Sequence, residues 1–188
     1  VKVWNAAPDS DYGKIVRLLM LTGQRREEIS ALRWSEVDLD AGMICLPSER
    51  TKNGRPHDVP LSAMALTILN GTPQRDDREH VFGEGDGGFS GYSRAKDALD
   101  KKVGFEDWTL HDLRRTMATR MADLGVQPHV IEAVLNHVSG HKSGVAGIYN
   151  RSTYAAEKKA ALDLWGQHIT VLLAKASGAN VVSLKGAQ

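Results

Sequence analysis

The segment that decides the fold is residues 43–61, which read MICLPSERTKNGRPHDVPL. Apolar residues at 43–46 and again at 59–61 flank a polar stretch that contains Asn53-Gly54. Asn-Gly between two extended segments is a strong signal for a β-hairpin, in which the pair forms the turn. The segment therefore predicts a small antiparallel sheet.

Sequence on both sides of this segment has helical spacing of apolar residues. Thr109 followed three residues later by Asp112 is a capping-box pattern, and Gly125 is a natural helix stop. The fold class is therefore predicted as α+β, mainly α: a helical domain with a small antiparallel β-sheet. The predicted helices cover residues 9–21, 25–33, 62–69, 90–102, 109–124, 128–136 and 155–174.

Length and composition exclude several classes of protein. The chain has 188 residues, which suits one domain or at most two small ones. Its single cysteine, Cys45, excludes a disulfide framework, and no apolar run reaches the length of a membrane span. The 24 basic residues against 23 acidic ones give a net charge of +1, which by itself argues against a nucleic-acid-binding protein.

A first candidate site lies at the start of the helix predicted at residues 109–124. His111 and Arg114 are three apart and project from the same helical face. Since unpaired backbone N–H groups at a helix start already favour anions, an imidazole and a guanidinium there suit a phosphate. Two solvated surface groups are the other interpretation of this pair.

Two more candidates precede it. Arg25 lies at a helix start with Glu28 three residues on, so the carboxylate can orient the guanidinium and leave other donors for a ligand. An ordinary surface ion pair, contributing about 0.3–0.5 kcal/mol, has the same spacing. Lys52 lies beside the Asn53-Gly54 turn, where it either reaches a nucleic-acid groove or keeps a strand edge soluble.

The last candidates lie between residues 135 and 154. His137 and His141 have metal-ligand spacing, but Ser139-Gly140 breaks the helix that such a site needs, so zinc is disfavoured. Tyr149 follows a glycine-containing stretch, and Tyr154 follows five residues later. A packed tyrosine with a bonded hydroxyl is the ordinary interpretation of either one.

Taken in chain order, these pieces resemble the tyrosine recombinase (phage integrase) family, and especially prophage and genomic-island integrases of bacteria. The resemblance spans roughly residues 9–175. Asn136 stands where the family usually has glycine, and asparagine tolerates the same left-handed backbone. The motifs are TGQRREEI at 22–29, TKNG at 51–54, HDLRRT at 111–116, LNH at 135–137 and GIY at 147–149.

The resemblance implies site-specific DNA integration and recombination by cutting and rejoining through a covalent 3′-phosphotyrosine link, without metal, ATP or cofactor. Tyr149, favoured over Tyr154 by its spacing from His137, is the implied nucleophile. His111 is the implied general base and Lys52 the general acid. Arg25 and Arg114 bind the non-bridging phosphate oxygens, His137 donates a further hydrogen bond, and Glu28 holds Arg25.

The resemblance also implies a domain organisation and partners. We expect residues 1–175 to form the catalytic domain and 176–188 a flexible tail, with the N-terminal core-binding domain of the family absent from this chain. The expected partners are double-stranded DNA at attachment sites, three further copies in a homotetramer on DNA, and accessory DNA-bending proteins. In isolation we expect a monomer, in the bacterial cytoplasm with the nucleoid and not in a membrane.

Two other functions use much of the same pattern. A type IB topoisomerase-like enzyme relaxes DNA with nearly the same side chains, and a DNA-binding module lacks catalysis altogether. A metal-dependent nuclease is disfavoured because no carboxylate cluster accompanies the histidines. The net charge of +1 excludes none of the DNA functions, since Arg25, Lys52 and Arg114 concentrate three positive charges at one phosphate.

Overall fold

The computed structural model describes residues 1–137 and 153–178 and confirms the predicted fold class. Most of these residues are helical, and three short strands form the only sheet within them. The helices are α1 (Lys2–Ala6), α2 (Asp11–Thr22), α3 (Arg26–Ser30), α4 (Ala63–Asn70), α5 (Tyr92–Val103), α6 (Leu110–Asp123), α7 (Pro128–Val134) and α8 (Ala155–Ala176).

The sheet is antiparallel and runs in chain order, with β1 (Val37–Asp38), β2 (Met43–Leu46) and β3 (His57–Pro60). Ile44 faces Val59 and Leu46 faces His57 across β2 and β3. Ile44, Leu46 and Val59 are almost fully buried, because alternate side chains of β2 and β3 point into the helical layer. The two-residue β1 was not predicted, since so short a strand leaves no periodic signal.

Helix α2 is the centre of the core. Ile15, Leu18 and Leu19 are at most 2% exposed, and α2 contacts α3, α4, α6 and α8. The long helix α8 crosses the same core with Leu162 and Trp165, and it also packs on β3 and α7. This helix therefore packs on its own domain, while Leu164 and Leu172 stay exposed.

The helix predicted at residues 25–33 is shorter than expected. Helix α3 ends at Ser30 because a later loop uses the carbonyl groups that a longer helix needs. The Phe89 N–H donates to the Ser30 oxygen at 2.9 Å, and the Val81 N–H donates to the Leu32 oxygen at 2.8 Å. The prediction beyond Ser30 is therefore wrong, and tertiary hydrogen bonds are the cause.

The predicted hairpin is present, but its turn differs from the tight Asn-Gly turn. Strand pairing ends at Leu46 and His57, and a 3-10 helix, Ser48–Arg50, lies in the connection. The chain then turns where the Gly54 N–H donates to the Thr51 oxygen at 3.2 Å. Gly54 has a φ of 65°, whereas Asn53 does not have the positive φ that a type I′ turn requires.

The other helix signals agree closely with the structure. The Thr109 N–H donates to the Asp112 carboxylate at 2.9 Å, as a capping box requires. Gly125 has a φ of 85° directly after α6. In the part of the chain that the structure describes, no helix has the length and apolar character to cross a membrane.

Candidate active site

Arg25 and Glu28 form the first element of the site. Arg25 precedes α3 as its N-cap, and its backbone N–H donates to Glu28 Oε2 at 2.9 Å. Its guanidinium Nη1 donates to Glu28 Oε1 at the same distance. The Glu28 side chain is 3% exposed and that of Arg25 23% exposed, so the carboxylate is buried while the guanidinium still reaches solvent. The predicted ion pair is therefore present.

The turn before Arg25 needs a glycine. Gly23 ends α2 with a φ of 65°, a conformation that side chains other than glycine adopt at a cost. A Cβ at this position would also lie 2.5 Å from Met117 Sδ on α6. Gly23 therefore brings α2 and α6 close together and fixes where the chain enters the Arg25 turn.

Arg114 on α6 is the second element. The residue is only 7% exposed, and its guanidinium donates through Nη1 to the Gly23 oxygen and through Nη2 to the Leu135 oxygen, both at 2.6 Å. Burial, and then the nearby charge of Arg25, lowers the pKa of Arg114 to about 10. Arg114 is therefore still a cation at neutral pH, with its position set by two backbone carbonyl groups.

His111 and Lys52 are the third and fourth elements. His111 lies in the first turn of α6, one turn before Arg114, and is exposed. Lys52 lies in the turn between β2 and β3 and is also exposed. Both side chains are therefore accessible to a ligand, in contrast to the buried Arg114.

These elements line one open cleft of about 900 Å³. Arg25, Glu28, Lys52, His111 and Arg114 all contribute to its wall. The structure thus brings together five of the seven residues that the sequence predicted for the site, although they come from three separate segments of the chain.

Aromatic and cationic side chains form the far wall of the cleft. Tyr92 and Lys96 on α5 and Trp108 before α6 line it there. The Lys96 Nζ lies 4.2 Å from the centre of the Trp108 ring, and the Arg26 guanidinium lies 4.7 Å from that of Tyr92. These aromatic and cationic side chains therefore line the same cleft as Arg25 and Arg114.

The other predicted site residues either do not line this cleft or lie outside the residues that the structure describes. His137 is exposed at the end of α7, and its backbone N–H donates to the Glu132 oxygen at 2.9 Å. Tyr149 lies outside the described residues. Tyr154 is the N-cap of α8 with a φ of 51°, and its ring centre is 5.1 Å from that of His129. Tyr154 is not among the described residues that line the cleft.

Sequence reasoning missed two buried residues, Gln24 and His57, which support the site through contacts with the last residue of α7. Gln24 Nε2 donates to the Val134 oxygen at 2.9 Å, and His57 Nε2 lies 3.0 Å from the same oxygen. Burial, followed by the nearby charges of Lys158, Arg114 and Arg25, lowers the pKa of His57 to about 4. His57 is therefore neutral at physiological pH and donates its Nε2 proton to this carbonyl.

Arg50 is a further residue that the sequence did not identify. Its Nε donates to Glu36 Oε1 at 2.7 Å, and its Nη2 donates to the Ala31 oxygen at 2.8 Å and the Glu28 oxygen at 3.2 Å. Arg50 therefore caps the end of α3, the helix that carries Glu28. No local sequence pattern indicates this role, because two of the partners are backbone carbonyl groups 19 and 22 residues away and the third is a carboxylate 14 residues away.

The donor set of the cleft suits an anion. Among residues 1–137 and 153–178, no three His, Cys, Asp or Glu side chains are grouped as metal ligands. The cleft instead presents the guanidinium donors of Arg25 and Arg114, which match the oxygens of a phosphate.

The fold and the cleft together define the class: this is the catalytic domain of a tyrosine recombinase, as the motifs predicted. The chain belongs to the phage integrase family, whose sequence model matches residues 5–156. Prophage integrase IntZ of Escherichia coli strain K12 is 32% identical over 165 residues, which are 85% of this chain. The chain covers 40% of the length of that relative.

Solved structures have the same fold. The catalytic domain of bacteriophage HP1 integrase matches with a TM-score of 0.56 at 21% identity, over 96% of this chain and 94% of that one. The integrase of transposon Tn1549, solved in complex with transposon right end DNA, matches with a TM-score of 0.53 at 14% identity. That match covers 91% of this chain and 63% of the transposon integrase.

Proposed function

We propose that this chain carries out site-specific DNA recombination and integration by cutting and rejoining DNA through a covalent 3′-phosphotyrosine intermediate. The observation that carries the proposal is the convergence of Arg25, Lys52, His111 and Arg114 on one cleft. The substrate is double-stranded DNA at an attachment site. Family membership and the cationic wall of the cleft support this choice of substrate.

In the first step the Tyr149 oxygen attacks the scissile phosphorus. A bond forms between that oxygen and phosphorus, and the bond from phosphorus to the 5′ oxygen breaks. His111 takes the phenol proton as general base, which is needed because free tyrosine has a pKa near 10. Lys52 gives a proton to the leaving 5′ oxygen as general acid. The reverse sequence, with a 5′ hydroxyl as nucleophile, rejoins DNA.

The two arginines stabilise the charge that develops on the phosphate. Arg25 and Arg114 donate to the non-bridging oxygens, and each such donor contributes about 3–4 kcal/mol to the transition state. Both guanidiniums are fixed before DNA arrives, one by Glu28 and the other by the Gly23 and Leu135 carbonyl groups. His137 adds a further hydrogen bond.

The reaction needs neither metal nor ATP. Arg25 and Arg114 supply the positive charge that Mg²⁺ supplies in many phosphoryl-transfer enzymes. The phosphotyrosine bond conserves the energy of the broken phosphodiester, so that rejoining requires no cofactor.

The assembly around this reaction extends beyond the chain. We propose that residues 1–175 are the catalytic domain and that 176–188 form a tail. A core-binding domain and accessory DNA-bending proteins complete the grip on DNA, and four copies act together on two sites. This assembly operates on nucleoid DNA in the bacterial cytoplasm.

Trapping the covalent intermediate tests the proposal. A pool of nicked duplexes with randomised sequence is incubated with the chain at low salt in EDTA, and the duplexes that stay attached in SDS are recovered and sequenced. A nick beside the scissile bond lets the cut strand leave, so adduct accumulates. We expect adduct with the parent chain and with Tyr154→Phe, and none with Tyr149→Phe.

The opposite pattern for the two tyrosines contradicts the assignment of Tyr149, and loss of adduct in EDTA contradicts metal independence. Relaxation of a supercoiled plasmid without a recovered site distinguishes the topoisomerase-like alternative. A site-specific recombinase relaxes such a plasmid poorly, whereas a topoisomerase relaxes it fully.

A further inference from the structure

Two asparagine side chains join the turn that carries Lys52 to the end of α7. Asn53 Nδ2 donates to the Asn136 main-chain oxygen at 2.9 Å and to Asn136 Oδ1 at 3.0 Å. Asn136 Nδ2 donates back to Asn53 Oδ1 at 3.2 Å. The two amides are therefore paired in both directions, although 83 residues separate them in sequence.

Asn136 makes this pair possible because of its position and backbone conformation at the end of α7. It lies just past α7 with a φ of 47°, and the His137 N–H donates back to the Glu132 oxygen. This is the helix-ending geometry in which glycine is the usual residue. Glycine satisfies the same backbone and keeps the main-chain oxygen that accepts from Asn53, but it has no amide, so the two bonds between the side-chain amides exist only because asparagine is present.

The Asn53 side chain also accepts hydrogen bonds within its own turn. Its Oδ1 accepts from Thr51 Oγ1 and from the Arg55 N–H, both at 3.2 Å, in addition to Asn136. The bonds to Thr51 and Arg55 shape the turn internally. The bonds to Asn136 are different in kind, because they fix the turn relative to α7 and hence to His137.

We propose that the Asn53–Asn136 amide pair positions Lys52 for proton transfer to the leaving 5′ oxygen and keeps it in register with His137. This inference rests on the proposed function, in which Lys52 is the general acid. Both asparagines are positioning residues, since neither lines the cleft that receives DNA. Lys52 is exposed and has a long flexible stem, so its reach depends on where the turn is held.

Asn136→Gly is the sharpest variant, because it removes the amide and keeps the backbone conformation. We expect it to slow adduct formation at saturating DNA by about 10–100-fold, the effect of a small misplacement of a reacting group. The Kd for the duplex should stay unchanged. Asn70→Gly, at the exposed end of α4, is the matched control and should keep the parent rate.

A change of leaving group separates positioning of the acid from general damage. The selected duplex is synthesised with sulfur in place of the bridging 5′ oxygen at the scissile bond. A thiolate leaves without a proton, since a thiol has a pKa near 8.5. On this duplex we expect Lys52→Ala, Asn53→Ala and Asn136→Gly to react within about 3-fold of the parent chain, while Arg114→Ala stays slow.

The possible outcomes distinguish failure of this inference from failure of the proposed function. If Lys52→Ala recovers on the sulfur duplex but Asn136→Gly does not, the amide pair has only a structural role and the inference is wrong. A parent rate for Asn136→Gly on the oxygen duplex also overturns it. No adduct from the parent chain on either duplex overturns the proposed function itself. In support, the double variant Asn53→Ala/Asn136→Gly should be no slower than Asn53→Ala alone, because Asn53→Ala already removes every bond of the pair.

Discussion

The Glu28 carboxylate binds both the backbone N–H and the guanidinium of Arg25. Glu28 Oε2 accepts the Arg25 backbone N–H, and Glu28 Oε1 accepts the guanidinium, each at 2.9 Å. Because the carboxylate is almost fully buried, water cannot readily replace it as a partner. The direction of the Arg25 side chain is thus fixed by a buried carboxylate on the same helix.

Glu28→Gln should slow covalent adduct formation. The glutamine can still accept one bond, but its amide nitrogen meets the guanidinium as a second donor. Loss of a charged hydrogen bond costs about 1.5–3 kcal/mol, which corresponds to a rate loss of roughly 10- to 150-fold. Single-turnover adduct formation measures this rate.

The control for Glu28→Gln is Asp123→Asn. The Arg120–Asp123 pair has the same spacing of three residues and a distance of 3.0 Å, but both side chains are more than half exposed. Exposed pairs contribute little, so the control should keep the parent rate. Equal rates for the two variants contradict the role given to Glu28.

Arg50→Met should destabilise the fold. The change leaves the Glu36 carboxylate, 6% exposed, without its ionic partner and removes the cap on α3. Breaking a buried ion pair from one side costs about 3 kcal/mol. Urea unfolding at pH 7 measures the loss, and Arg50→Met/Glu36→Gln should recover part of it. A loss below about 1 kcal/mol for the single variant excludes this role.

His57 should make the fold sensitive to acid. Its pKa is about 4 in the folded protein, while an unfolded histidine has a pKa near 6.5. Between these values the unfolded chain binds a proton that the folded chain does not, so stability falls as the pH falls. Above pH 6.5 the contribution is complete and constant. From pH 7 to 4.5 the loss from His57 alone should be about 2–3 kcal/mol.

Comparison with His57→Gln isolates this contribution. Glutamine keeps an N–H donor for the Val134 oxygen but does not titrate. Urea midpoints at pH 7 and 4.5 should therefore shift less in the variant than in the parent chain, while the other titrating groups contribute equally to both. Identical shifts contradict a neutral, buried His57.

Binding of duplex DNA should depend steeply on salt. With three cations on one phosphate region, log K against log salt should have a slope of about −3. Lys52→Ala should reduce the magnitude of that slope by about 1, since Lys52 has no carboxylate partner among the described residues. Fluorescence anisotropy between low and physiological salt measures the slope, and Arg120→Ala on the exposed face of α6 should leave it unchanged.

Local spacing made part of the site predictable. The Arg25–Glu28 and Thr109–Asp112 contacts join residues three apart, and any helix start brings such residues together. Gly125 and the mainly helical fold follow from similarly local signals. The order of the motifs then predicted which of these local groups meet at a site.

Long-range partners were not predictable in this way. The Val134 oxygen receives Gln24 and His57 from 110 and 77 residues away. Neither contact has a periodicity or a motif, because the partner is a backbone carbonyl that every residue possesses. For the same reason the sequence located the Asn53-Gly54 turn but not the ten-residue connection that contains it. The role of Tyr149 stays a prediction.

The two arginines of the cleft are held by different kinds of partner. Arg25 faces a carboxylate, which cancels its charge at a distance, whereas Arg114 bridges two backbone carbonyls at the C-terminal ends of α2 and α7. Those ends are the negative poles of helix dipoles, which stabilise a buried cation without adding net charge. We therefore expect Arg114 to attract an approaching polyanion more strongly than Arg25 does, and Arg25 chiefly to set the angle at which the phosphate docks.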